Sequence, residues 1–114
     1  METNEQKEIS YKPLPSNLTI KQSTIHGLGL FATEDIKANH ELGIIHHYHN
    51  EYIIRTPLGG FINHSDQPNC KKIKQVDQGF NVIGSFVDVK YILITKQNIS
   101  KGDELTLAYD LYKI

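Results

Sequence analysis

The stretch Phe61-Ile62-Asn63-His64-Ser65 decides how the fold of this chain is interpreted, and Pro68-Asn69-Cys70 follows it closely. Two apolar residues run directly into three polar ones, and two glycines stand in front of them. Turns often use Asn, Ser, Pro and Gly for backbone reasons. An Asn-His-Ser triplet after a strand-like pair can also present side chains and backbone groups to a polar ligand. The stretch therefore predicts a binding turn, with a polar turn satisfied by its own backbone as the alternative.

Size and composition set limits on the kind of protein. The chain has 114 residues with 39% hydrophobic content, which predicts a single domain. Its net charge is −1 and the charges are mixed, so we expect no direct binding of nucleic acid. Apolar runs fall far short of the ~20 residues of a membrane span, and the polar start does not resemble a signal peptide. One cysteine excludes an internal disulfide framework, and we expect a cytoplasmic protein.

The distribution of turn residues predicts a mainly β fold. We expect residues 1–16 to form a flexible polar tail and residues 17–114 to form the domain. Short β-like segments are separated by turn signals, and hardly any stretch has a helical period. The predicted strands cover residues 18–21, 28–32, 42–45, 52–55, 80–86 and 91–95, and predicted turns include 57–60 and 77–79.

A second motif, Gly27-Leu28-Gly29-Leu30-Phe31-Ala32, has the spacing of a dinucleotide fingerprint. Glu51 even lies near the position of a ribose-binding acid. The fingerprint requires a helix at the glycines and further βαβ units, and the sequence predicts neither. The alternative is a hairpin-like turn whose glycines let a ligand approach the backbone closely.

A third motif, Glu104-Leu105-Thr106 followed by Tyr109, completes a pattern. In their order, the three motifs resemble the SET-domain family of S-adenosylmethionine-dependent protein-lysine methyltransferases. The resemblance extends from about residue 18 to 112. It implies a β-clip-like fold of short strands with few helical turns and a knot-like C-terminal segment. It also implies methyl transfer to the side-chain amine of a lysine in a protein substrate.

The resemblance assigns roles to individual residues. The glycine turn, here Gly27, Leu28 and Gly29, would contact the methionine part of S-adenosylmethionine through backbone groups. The pair formed by Asn63 and His64 would hold the amino group and adenine of that cofactor.

Two tyrosines lie at the end of the third motif and beyond it. The resemblance places Tyr109 beside the transferred methyl group and the target amine as the catalytic residue. Tyr112 is a candidate to close the cofactor pocket, but the family pattern fixes no role for it. The chemistry requires no metal, because the methyl group is displaced directly onto a neutral amine.

Departures from the family pattern lead to further expectations. Asp66 stands where many members have cysteine, and Cys70 lacks the cysteine-rich extension with which it would bind zinc. The segment between the first two motifs is short, so we expect a homodimer in which one subunit supplies what the other lacks. A catalytically silent SET-like binding or assembly module is the alternative function. A metal-binding β-domain built on the cluster His46-His47-Tyr48-His49 is the less favoured one. Another interpretation of the cluster places these rings and Tyr48 or Tyr52 beside the substrate channel.

Overall fold

The computed structural model describes residues 14–49 and 52–108. Eight strands and one short helix occur in this part of the chain, which confirms the mainly β fold. In chain order they are β1 (Leu18–Gln22), β2 (Leu28–Ala32), β3 (Glu41–His49), β4 (Tyr52–Arg55), α1 (Pro57–Phe61), β5 (Asn63–His64), β6 (Cys70–Asn81), β7 (Gly84–Thr95) and β8 (Glu104–Leu107). The strands form two four-stranded sheets in the orders β1-β2-β8-β5 and β4-β3-β7-β6.

The first sheet places strands from three distant parts of the chain side by side. β1 and β2 form an antiparallel hairpin, and β8 pairs antiparallel with β2 so that Leu105 lies opposite Leu30. β5 then pairs parallel with the other edge of β8, with Asn63 opposite Thr106. Because β8 lies between β2 and β5, the glycine turn before β2 comes close to the Asn-His pair of β5.

The second sheet contains a long hairpin that corrects two predictions. A strand over residues 80–86 was predicted, but β6 ends at Asn81 and β7 begins at Gly84. The Asn81 Oδ1 atom accepts hydrogen bonds from the backbone N–H groups of Ile83 and Gly84, at 2.8 and 3.2 Å. This side-chain turn and the positive φ of Gly84, 142°, reverse the chain inside the predicted strand.

The turn predicted at residues 77–79 is also wrong, because these residues lie within β6. Gly79 pairs with Phe86 across the hairpin, and the aromatic ring covers the glycine. A cross-strand aromatic ring compensates for the missing side chain. The sequence signal for a turn is therefore overridden by a contact that is local to the hairpin.

The two sheets share one apolar core. Its most completely buried side chains are those of Leu30, Ile45, Cys70, Leu93 and Leu105. Burial raises the pKa of the Cys70 thiol to about 12, so this thiol is protonated at neutral pH. Leu14, at the start of the described chain, packs against the same core.

The turn predicted at residues 57–60 is a helix that connects the sheets. Thr56 caps α1 and Pro57 occupies its first turn. Leu58 is buried, and Gly59 lies so close to β3 that a Cβ atom would overlap the backbone carbonyl oxygen of Ile45. Pro57 therefore begins a helix, and Gly59 allows that helix to pack closely against β3.

The knot-like C-terminal segment and residues 1–13 of the predicted tail lie outside the described residues. No helix in the described part of the chain is long and apolar enough to cross a membrane.

The neighbouring glycines of α1 predict opposite effects of the same substitution. Gly59→Ala should lower the free energy of unfolding by about 2 kcal/mol or more, because its Cβ meets backbone that cannot rotate away. Gly60→Ala meets no atom within 4 Å and should raise it by about 0.5–1 kcal/mol through the better helix propensity of alanine. Urea denaturation of both variants provides the comparison. Equal effects would show that α1 does not pack on β3 in this way.

Candidate functional site

A large cavity collects four of the residues that the sequence assigned to the cofactor. It measures about 640 Å³ and is lined by Gly27, Leu28, Asn63 and His64. Its remaining walls are Ile25, His26, Gly60, Phe61 and Ile62. The glycine turn and the Asn-His pair, more than thirty residues apart in sequence, therefore face one space. Gly29 lies behind this wall and is buried.

The side-chain amide of Asn63 joins the two motifs. Its Nδ2 atom lies 3.1 Å from the backbone oxygens of His26 and Leu28, on either side of Gly27. The same atom donates to Glu104 Oε2 at 2.8 Å. Three oxygens around one nitrogen fix the orientation of the amide, because the reverse orientation would face its oxygen toward three acceptors. Asn63 therefore holds the turn in shape, and Gly27 supplies the positive φ of 47° that the turn needs.

Glu104 is a site residue to which the sequence analysis gave no role. Its carboxylate accepts hydrogen bonds from Ser23 Oγ at 2.8 and 2.9 Å as well as from Asn63. A Cβ atom at Gly29 would overlap Glu104 Oε2, so this carboxylate occupies the space that Gly29 leaves open. The only sequence signal was the position of Glu104 at the start of the third motif.

His64 lies at the cavity wall with a partly exposed ring. Its Nε2 atom is 3.0 Å from Asp66 Oδ1, and the Asp66 side chain is almost fully exposed. Such an exposed pair contributes little to stability. On the backbone side, His64 lies opposite Leu107 of β8, so its position depends on the central strand of the first sheet.

Asn69 fixes the position of β8. Its Oδ1 atom accepts from the backbone N–H of Thr106 at 2.8 Å, and its Nδ2 atom donates to the backbone oxygen of Glu104 at 2.9 Å. The side chain thus pairs with β8 as a neighbouring strand would. The Pro68-Asn69 part of the second motif therefore has a structural role in positioning Glu104.

A second, smaller cavity lies across the wall of the first. It measures about 110 Å³ and shares Gly60 and Ile62 with the large cavity. Leu107 and Ala108 also line it, and they directly precede Tyr109 in the chain. Tyr109 and Tyr112 themselves lie outside the described residues, so their assigned roles remain predictions.

The histidines of the cluster lie in different environments along β3. His46 is 3% exposed and lines the smaller cavity, whereas His47 is half-buried and the side chain of His49 lies outside the described part. Burial, followed by the charges of Lys72, Arg55 and His47, lowers the pKa of His46 below its ordinary value. Across residues 14–49 and 52–108, no three His, Cys, Asp or Glu side chains are grouped so as to hold a metal ion.

The family model of the SET domain matches residues 45–110, more than half of the chain. The chain belongs to the SET-domain family. The matched segment includes Asn63, His64, Glu104 and Tyr109, and the glycine turn precedes it. The family match therefore covers the Asn63-His64 pair at the large cavity, and the glycine turn lies outside it.

Two relatives illustrate the extent of the similarity. This SET domain is 37% identical over 57 residues to the histone-lysine N-methyltransferase ASHH2 of Arabidopsis thaliana. That match covers 50% of this chain and 3% of the plant protein, so the chain spans only a small part of its curated relative. A solved structure of a Plasmodium falciparum candidate histone methyltransferase aligns with a TM-score of 0.61 and 27% identity. The alignment covers 81% of this chain and 96% of the other.

The surroundings of Asn63 predict a large difference between two small substitutions. Asn63→Asp places an oxygen where Nδ2 faces two carbonyls and Glu104, so the free energy of unfolding at pH 7 should fall by about 3 kcal/mol or more. Asn63→Ala, the matched control, removes the donor without adding charge and should cost less. The gap between the variants should narrow near pH 4, where the introduced carboxyl gains a proton that it can donate. Urea denaturation at both pH values measures this, and equal stability of the two variants at pH 7 would contradict the assigned amide orientation.

Proposed function

We propose that this SET domain binds S-adenosylmethionine and transfers its methyl group to the side-chain amine of a lysine in a protein substrate. The observation that carries the proposal is the large cavity, where the glycine turn and the Asn63-His64 pair meet. Both relatives are described as histone methyltransferases, which supports the choice of reaction. The proposal is limited to the activity of this chain. The curated relative is far longer, so its other properties are not carried over.

The cavity fits such a cofactor in size and chemistry. Its volume of about 640 Å³ lies in the range of small-molecule sites. Phe61, Ile62 and Leu28 offer apolar walls to a purine ring, and Asn63 and His64 offer polar groups. When bound, the cofactor would supply a methyl group on a positively charged sulfur.

Within that cavity, Asn63 and Gly27 would act on the cofactor in different ways. Nδ2 of Asn63 already donates hydrogen bonds to protein oxygens. Oδ1 is therefore the atom of this amide that would accept a hydrogen bond from the amino group of the ligand. Gly27 would let the ligand approach the backbone of the turn, since no atom lies within 4 Å of where its Cβ would be. The backbone of His64 on β5 would face the adenine.

The target side chain would enter from the other side of the wall, through the smaller cavity. Gly60 and Ile62 border both cavities, so an amine there would lie across from the methyl group. The amine must be neutral to attack, which costs about 4 kcal/mol for a lysine near pH 7.4. In-line positioning of nitrogen, methyl group and sulfur then provides the larger part of the rate enhancement. Tyr109, the residue after Ala108, would orient the amine at this junction.

Calorimetric titration with S-adenosylmethionine tests the proposal directly. We expect saturable binding of the cofactor by the wild type. Asn63→Ala should bind it about tenfold more weakly or worse, because the glycine turn loses its hydrogen bonds to the Asn63 side chain. Tyr109→Phe should bind the cofactor as the wild type does but transfer methyl groups to a protein extract at least about tenfold more slowly.

Binding and transfer by the wild type also separate the enzyme from the silent module. Wild-type binding without transfer would favour a binding or assembly module that retains the cofactor. Absence of binding at high micromolar concentration would overturn the cofactor proposal itself. Equal activity of Tyr109→Phe and wild type would contradict the role of Tyr109 alone.

We further propose that the protein forms a homodimer. Phe80, Val82 and Ile83, at the end of the β6–β7 hairpin, are 85–103% exposed, and exposed apolar clusters of this kind mark interaction surfaces. Sedimentation equilibrium should give twice the chain mass. Val82→Ser combined with Ile83→Ser should shift the population toward monomer, whereas Ile54→Ser, an exposed control on β4, should not. A strict monomer for the wild type would remove the proposal.

The cytoplasmic localisation stays a prediction.

A further inference from the structure

His46 has a buried polar atom that the described part of the fold leaves unpaired. Its Nε2 atom is buried and has no hydrogen-bond partner among residues 14–49 and 52–108. The ring itself is 3% exposed and packs on Tyr91, with ring centroids 4.8 Å apart. An unpaired polar atom in this position costs about 1–3 kcal/mol, so its presence requires an explanation.

This histidine lines the smaller cavity, next to the wall shared with the large one. The cavity has an apolar part formed by Ile45, Ile62 and Leu107, which suits a chain of methylene groups. Its volume of about 110 Å³ suits one extended side chain. The unused nitrogen therefore belongs to a residue that borders a space of the size of a single alkylamine.

Two cations border the same space. Arg55 and Lys72 line the cavity, and the Lys72 ammonium lies 5.4 Å from the centre of the Tyr91 ring. Positive charges near an amine disfavour its protonated form and lower its pKa. The same charges and the burial keep His46 neutral, so in one tautomer its Nε2 atom offers a lone pair.

We propose that His46 contacts the substrate: its Nε2 atom accepts a hydrogen bond from the primary amine that enters the smaller cavity. This inference rests on the proposed function and adds a catalytic residue to it. The amine loses its ammonium proton to solvent before entry, and the amine nitrogen keeps its lone pair directed past Gly60 and Ile62 toward the large cavity. The N–C bond forms as the C–S bond breaks, with the C–S electron pair left on sulfur. The methylated ammonium product then releases its proton to solvent.

A carboxylate is the competing ligand, because Arg55 and Lys72 would also attract an anion. The observations favour the amine for two reasons. Ile45, Ile62 and Leu107 give the wall an apolar part that suits methylene groups, and Lys72 already has an aromatic partner in Tyr91. Binding of an anion in place of the amine would therefore overturn the inference.

Nitrogen NMR of the His46 ring tests the contact without requiring catalysis. The wild-type protein with S-adenosylhomocysteine is titrated with n-butylamine at pH 8.5, and with sodium acetate at equal ionic strength. We expect a saturable change in the Nε2 resonance with n-butylamine and none with acetate. The His46→Phe spectrum identifies the resonance. No change with n-butylamine, or saturation by acetate instead, would overturn the inference.

Two variants then test the role in catalysis. His46→Phe keeps a ring against Tyr91 and removes the unpaired nitrogen, so its free energy of unfolding should equal or exceed that of the wild type. Its kcat/KM should fall by about tenfold or more with cofactor affinity unchanged. His46→Gln, which retains an acceptor near the same place, should recover part of the loss.

The outcomes separate this inference from the proposed function. Unchanged kcat/KM in His46→Phe overturns the role of His46 and leaves the methyl transfer intact. A wild-type protein whose His46 responds to n-butylamine but which transfers no methyl group supports the amine contact and overturns the proposed function. If His46→Phe does not fold, the titration of the wild-type protein still decides the question.

Discussion

The hydrogen bonds from the Asn63 amide to the glycine turn and to Glu104 are the constraint on which the site depends. One nitrogen links β5, the turn before β2 and the first residue of β8. A carboxylate that is partly removed from water needs donors, and Asn63 and Ser23 provide them. Because the carboxylate fills the space beside Gly29, no larger residue fits there without displacing it. The shape of the large cavity therefore follows from one polar cluster behind its wall.

This cluster depends in turn on the central position of β8. Leu105 is fully buried, and its removal would cost about 2–5 kcal/mol, as for other core leucines. Asn69 pairs with β8 through its side chain and so sets the register of Glu104. The apolar core and the polar cluster are thus held by alternate residues of one short strand. A change that slips this strand by one residue would exchange the two sets.

The sequence predicted those parts of the molecule whose signals are local. The mainly β class and five of the six predicted strands follow from short apolar runs between turn residues. The β6–β7 hairpin did not follow, because Gly79 is compensated by a cross-strand ring and Asn81 forms the turn with its side chain. Glu104 was visible as a motif residue, but its partners lie 41 and 81 residues away in the chain. A place beside the substrate channel was one of the interpretations of the histidine cluster, and the sequence could not single out His46, since its burial depends on how α1 and β7 pack around β3.

The two residues that border both cavities have a consequence for how the fold separates its proposed ligands. Gly60 and Ile62 face both spaces, and they lie at the junction of α1 and β5. Displacement along a line requires the nitrogen and the sulfur on opposite sides of the methyl group, so the two ligands need separate entrances. Gly59 sets α1 against β3 on one side of this junction, and Asn63 anchors β5 on the other. A shift of about 1 Å at such a junction can cost a hundredfold in rate. The close packing of Gly59 against Ile45 is therefore a requirement of the proposed reaction as well as of stability.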